Sequence, residues 1–282
     1  MTRSLVPPRG AVPVPRGGGG PALIAVAHGS RDPRSATTMA AVVASVAASR
    51  PDLTVRLAFL DLSAPSLDQV VDELAALGHR DVVVVPLLLG NAFHARVDLP
   101  ALLAESANRH PLVRLTQTDV LGADSRLIAA LADRVAGVSV GFPVPEPVSM
   151  HLRTTPAALS RESGRAAVGV AVAAVGSRDE SANRRTAAVA RRLAVTTGLR
   201  TEMCFATVAP SISVAVDRLH ACGVEQVVVA PWFLAPGLLT DRLLHHAPRL
   251  VHADVIGPHP ALTEVIWSRY DAAIATDLEL SA

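Results

Sequence analysis

The chain contains no lysine, so all 26 of its basic residues are arginine. That absence excludes a Walker-type phosphate loop, which needs a G-K-[ST] lysine, and it excludes a lysine Schiff base. The glycine run at 17–20 therefore belongs to a flexible Pro/Gly/Arg-rich leader over residues 1–20. Aromatic residues make up only 3% of the sequence, too few for base-stacking platforms. The formal net charge is +1, which provides no basic stripe for nucleic acid. The two cysteines, Cys204 and Cys222, form no CxxC pair and lie in apolar stretches. Both are expected to be buried thiols, outside any disulfide framework or iron–sulfur site. The longest apolar stretch, at roughly 166–176, is too short to span a bilayer, and the leader lacks the apolar segment of a secretory signal. A cytoplasmic protein with no membrane partner is the expectation.

What the sequence does have is repetition. AVAHGSRD (25–32) returns as AAVGSRD (173–179), and VVVVPLLLGNAFH (82–94) returns as VVVAPWFLAPGLL (227–239). Pro65-Ser66 and Pro210-Ser211 each precede the strand prolines Pro86 and Pro231 by 21 positions, and DVLG (119–122) is echoed by DVIG (254–257). Four landmarks in the same order imply a duplication, with a period far longer than a solenoid repeat. Hydrophobic residues are half of the chain and charged residues only 18%, so each half has the means to build a core. The expected division is a leader over 1–20, an N-terminal domain over 21–138, a proline-rich linker over 139–165 and a C-terminal domain over 166–278.

Short β-branched runs alternate with Ala/Leu/Arg-rich helical stretches. The pattern predicts strands near 22–27, 54–59, 82–88 and 113–118, with helices near 35–49, 66–77, 97–109 and 124–136. It repeats with strands near 167–174, 201–206, 226–232 and 252–256 and helices near 180–197, 211–222, 238–247 and 260–276. The run Val82–Val85 is apolar on both faces, as a buried parallel strand is. The expected architecture is α/β: two tandem, pseudo-twofold-related domains, each a four-stranded parallel sheet flanked by helices in flavodoxin-like order.

The copies differ where chemistry is expected. His28 follows the first strand and His94 follows the third, so both fall on the carboxyl rim of one sheet, where open α/β sheets bind ligands. Their counterparts are Val175 and Leu239. Two imidazoles can bind a borderline divalent ion, and near neutral pH an imidazole can accept a proton. Asp61, just after the second strand, suits a third ligand, a histidine-orienting carboxylate or an ordinary helix-start residue. Arg31, Arg34 and Arg96 lie near the histidines in sequence, and arginine forks suit carboxylates. Asn91 is placed to hold the loop before His94, and Gly29 and Gly90 to permit tight turns. The other eight histidines show no ligand spacing, and there is no HExxH.

The series AHGSRDP, AFLDLSAPSL and VVVVPLLLGNAFHARVDLP resembles the sirohydrochlorin chelatase family, the ATP-independent class II tetrapyrrole chelatases, over residues 21–275. The resemblance implies insertion of Fe2+ or Co2+ into sirohydrochlorin without any nucleotide. It implies His28 and His94 as the active pair, which bind the metal with Asp61, although relatives often have glutamate in place of Asp61. It further implies Ser30, Arg31, Arg34, Asn91 and Arg96 as contacts to an eight-carboxylate macrocycle, with the second domain as the opposite wall of the cleft. A fused pair of domains is expected to work as a monomer or weak homodimer. Two rivals use the same residues: a non-catalytic metal or tetrapyrrole carrier, and a phosphoryl-transfer enzyme with a histidine nucleophile suggested by the H-G-x-R string.

Overall fold

Every residue of Ala22–Ala27 (β1) is apolar and buried, which requires cover on both faces of its sheet. The computed structural model describes residues 20–90, 97–138 and 167–280 and provides that cover. Val55–Phe59 (β2), Asp81–Pro86 (β3) and Arg114–Gln117 (β4) join β1 in a parallel sheet of order β2-β1-β3-β4. Val168–Ala174 (β5), Arg200–Phe205 (β6), Gln226–Pro231 (β7) and Val251–His252 (β8) form a second sheet of order β6-β5-β7-β8. The helices are Pro33–Ser49 (α1), Leu67–Ala76 (α2), Leu99–Arg109 (α3), Ser125–Ala136 (α4), Glu180–Thr197 (α5), Ile212–Ala221 (α6), Leu238–His246 (α7) and Pro260–Leu280 (α8). Among the described residues, no helix is long and apolar enough to cross a membrane.

The period of two along each strand divides the core. Ala22, Ile24 and Val26 face an outer layer with Leu67, Val71 and Leu74 of α2 and Leu99 and Leu103 of α3. Leu23, Ala25 and Ala27 face an inner layer that continues through the helices into the second sheet, reaching Val170, Val172 and Ala174. The second sheet has its own outer layer, formed by Ile212, Ala215 and Leu219 of α6 and Leu243 of α7.

In the inner layer the halves exchange their last helices. Helix α4 packs on β7 and α5 of the second sheet, while α8 packs on β3 and α1 of the first. Matching bonds fix the exchange. Arg134 of α4 donates to the Ile256 carbonyl at 2.7 Å, and Arg269 of α8 donates to the Val120 and Leu121 carbonyls at 3.3 and 3.1 Å. Tyr270 donates to the Pro21 carbonyl at 2.5 Å, and Trp267 Nε1 to Ser49 Oγ at 2.7 Å. The chain leaves each sheet through a glycine with left-handed φ, Gly122 (+61°) or Gly257 (+57°), a conformation that other residues rarely adopt.

Several element ends differ from expectation. Helix α1 begins at Pro33, two residues early, because Asp32 caps it and proline suits the first helical position. β3 stops at Pro86, where Leu88 N–H turns back to the Pro86 carbonyl at 2.9 Å. Helix α3 starts at Leu99. β8 is only two residues long, because Ile256 bonds the Phe233 carbonyl as part of the crossing segment and α8 then runs to Leu280. Cys204 is buried as expected, and its desolvated thiol is pushed up to about 12. Cys222 is exposed, contrary to expectation, because it caps the C-terminus of α6 at the surface.

Candidate functional site

The strand order makes β1 the neighbour of both β2 and β3, so the three carboxyl ends form one rim. Half-buried His28 directly follows β1. Leu60 and Asp61 continue the ladder beyond β2, donating to the carbonyls of Ala27 (2.9 Å) and His28 (3.0 Å). The backbone therefore brings Asp61 beside His28. The Asp61 side chain is exposed, and one of its oxygens accepts the Leu62 N–H at 2.7 Å. On the other side, Leu87 N–H donates to the Val26 carbonyl at 2.8 Å, so the chain leaving β3 toward the second histidine starts from this rim. His94, Asn91 and Arg96 themselves lie outside the described residues.

Gly29 explains why the histidine is followed by glycine. Its φ is +94°, and a Cβ there would lie 1.6 Å from the Asp61 carbonyl oxygen. The close approach of the two rim segments thus has no room for a side chain. Ser63 then ties the turn down. Its hydroxyl accepts from Ser30 N–H and donates to the Ser30 carbonyl, both at 3.1 Å. Ser30 Oγ accepts from Asp32 N–H at 3.1 Å, and Asp32 in turn accepts from Arg34 N–H at 3.0 Å as the cap of α1. Ser63 was missed in the sequence because its partner is 33 residues away. Asp32 carried a readable signal in the Asp-Pro pair.

The electrostatics of the turn centre on Arg34. Its guanidinium grips Asp32 through Nε and Nη2, with a shortest contact of 2.5 Å, and reaches Asp241 of α7 at 2.5 Å. Hydrogen bonding to Arg34 holds the Asp32 carboxyl below the usual carboxylate range, and the two carboxylates push Arg34 upward. Asp241 belongs to the second half, so this contact brings α7 to the first rim. Gly237, just before α7, is close by: a Cβ there would lie 4.0 Å from Ser30 Oγ and Asp32 Cβ. Arg31 is exposed. Among the described residues, no group of three or more His, Cys, Asp or Glu side chains is arranged to hold a metal ion.

The second rim preserves the scaffold of the first. Gly176 has φ +89°, and Thr207 N–H donates to the Val175 carbonyl at 3.1 Å, as Asp61 does to His28. Ser177 is tied through its backbone N–H (2.8 Å) and carbonyl (2.7 Å), here by the amide of Asn183. This register aligns Val175 with His28 and Thr207 with Asp61, so the second copy keeps the turn and lacks both the imidazole and the carboxylate.

The sequence model of the CbiX family matches residues 22–138 and 169–273. The sirohydrochlorin cobaltochelatase of Priestia megaterium is 25% identical over 92% of this chain and 82% of its own length. The sirohydrochlorin ferrochelatase of Bacillus subtilis is 24% identical over 88% of this chain and 90% of its own length. Among solved structures, SirB from Bacillus subtilis with Fe3+ is similar at a TM-score of 0.70 and 23% identity, covering 92% of this chain and 97% of that one.

Proposed function

Because the chain belongs to the CbiX family, with a match across both halves, we propose that this metal chelatase inserts Fe2+ or Co2+ into sirohydrochlorin without ATP, giving sirohaem or cobalt-sirohydrochlorin. The observation that carries the reading is the asymmetry of the two rims. One turn scaffold is built twice, and only the copy after β1 holds an imidazole next to a carboxylate-bearing strand end.

The chemistry follows from charge balance. A metal-free tetrapyrrole gives up two pyrrolic protons as a divalent ion enters, so a ligand must present the ion and a base must take protons. Imidazoles at His28 and His94 supply both roles. Asp61 joins them as third ligand through the carboxylate oxygen that Leu62 does not engage. Ser30, Arg31, Arg34, Asn91 and Arg96 contact the substrate. The Ser30 hydroxyl accepts one bond within the turn and still has its own proton to donate. Residues 21–138 form the catalytic half and 166–278 the degenerate half that closes the cleft, joined by the 139–165 linker and preceded by the 1–20 leader. The enzyme works in the cytoplasm as a monomer or weak homodimer.

The test is anaerobic incubation of purified protein with sirohydrochlorin and either Fe2+ or Co2+, followed by absorption spectroscopy. Insertion faster than the spontaneous rate is expected with at least one ion. An unaccelerated rate with both ions, alongside saturable tetrapyrrole binding, would make the protein a carrier and not an enzyme. Comparing the two ions decides between iron and cobalt, which imidazole ligands alone do not distinguish.

A further inference from the structure

Arg34 lies where the two halves meet above the first rim, and its guanidinium has two usable edges. The Nε–Nη2 edge is matched to both oxygens of Asp32, at 2.5 to 3.1 Å. Asp32 is buried and is fixed as the cap of α1, so this pairing sets the plane of the guanidinium. The outer edge is used differently. Only Nη2 engages Asp241, through one oxygen at 2.5 Å, and neither pairing uses Nη1. Arg34 and Asp241 side chains are 50% and 51% exposed. A pair this exposed is weakly held, worth at most about fivefold in an equilibrium constant.

We propose that Asp241 stands in for a substrate carboxylate, and that Arg34 exchanges it for one of the carboxylates of an acidic macrocycle. An incoming carboxylate can meet Nη1 and Nη2 together, a two-point contact that Asp241 does not make. Asp32 keeps the guanidinium oriented throughout the exchange. The inference rests on the tetrapyrrole reading above and adds to it a defined anchoring point with a built-in competitor.

Metal-free titration with uroporphyrin, an eight-carboxylate porphyrin, followed by fluorescence tests the exchange without any insertion step. Removing the competitor in Asp241→Asn is expected to tighten binding up to about fivefold. Arg34→Ala is expected to weaken it, and the double variant to bind like Arg34→Ala alone. Both positions are half-exposed, so thermal midpoints near the parent's verify folding. Unchanged or weaker binding by Asp241→Asn, with normal binding by the parent, overturns the exchange and leaves the chelatase reading standing. No saturable binding by the parent overturns both.

Discussion

His28 and Val175 occupy the same place in two copies of one turn, so the molecule contains its own control. His28→Ala and His94→Ala are each expected to reduce the insertion rate to near the spontaneous level. Val175→His should leave it nearly unchanged, because Thr207 replaces the neighbouring carboxylate there. Full activity in His28→Ala would assign the chemistry elsewhere, with spectroscopic rates as the readout. Gly29 is a second residue-scale case. Alanine there brings an unfavourable φ and a Cβ on top of the Asp61 carbonyl. The expected cost is about 2 kcal/mol or more, a fall of roughly 4–8 °C in thermal midpoint for a domain of this size. Of these residues, His28 and Gly29 were visible in the sequence, because a strand end followed by H-G-S marks a rim turn. The reason Gly29 must be glycine was not visible, since the oxygen that fills its side-chain space comes from Asp61 on another strand.

Helix starts show what periodicity reveals and what it hides. Strand and helix positions followed from β-branched runs and helical spacing, and most observed ends agree within two residues. The ends that moved depend on capping: Asp32 with Pro33 starts α1 early, and the crossing segment around Gly257 shortens β8. Asp32, Asp124 and Asp179 cap α1, α4 and α5 and accept a backbone N–H two residues on. All three carboxyls are held low: Asp32 and Asp124 first by hydrogen bonds from Arg34 and Arg126, Asp179 first by one from Ser181. A folded-state value below the unfolded one near 3.9 means that the ionised carboxylate favours the native state. That stability is complete above about pH 4 and is lost as pH falls through the lowered folded values. The thermal midpoint should therefore stay level in this respect from pH 7 to 5 and drop below about pH 4. In Asp124→Asn, which keeps a good capping acceptor without the charge, the acid drop should be smaller. Asp124→Ala should cost about 1 kcal/mol at neutral pH. A chemical denaturation series in the two variants separates cap from charge.

At the scale of the whole molecule, the two sheets are separate and their inner cores are not. Hydrophobic periodicity shows that α4 and α8 each have an apolar face, but not which sheet that face covers, so the exchange was illegible in the sequence. Arg134 and Arg269, reaching across to DVIG and DVLG, were likewise hidden among 26 arginines. Cutting the chain between 139 and 166 should leave the two pieces associated in size-exclusion chromatography. Residues 1–138 expressed alone should lack cooperative unfolding, because Leu262, Ile266, Trp267 and Tyr270 would be missing from the layer against α1. A native-like melting transition for that fragment would show the exchanged helix to be dispensable. The exchange also bears on birth order. Most chains complete their N-terminal domain while the rest is still being made. Here a helix that packs on the first sheet follows the whole second half in the sequence, so the half that carries His28 cannot close until α8 has been made. A product cut short before α8 leaves α1 and the β3 side of the first sheet without that cover, a substrate for chaperones and proteases before it can act on any other.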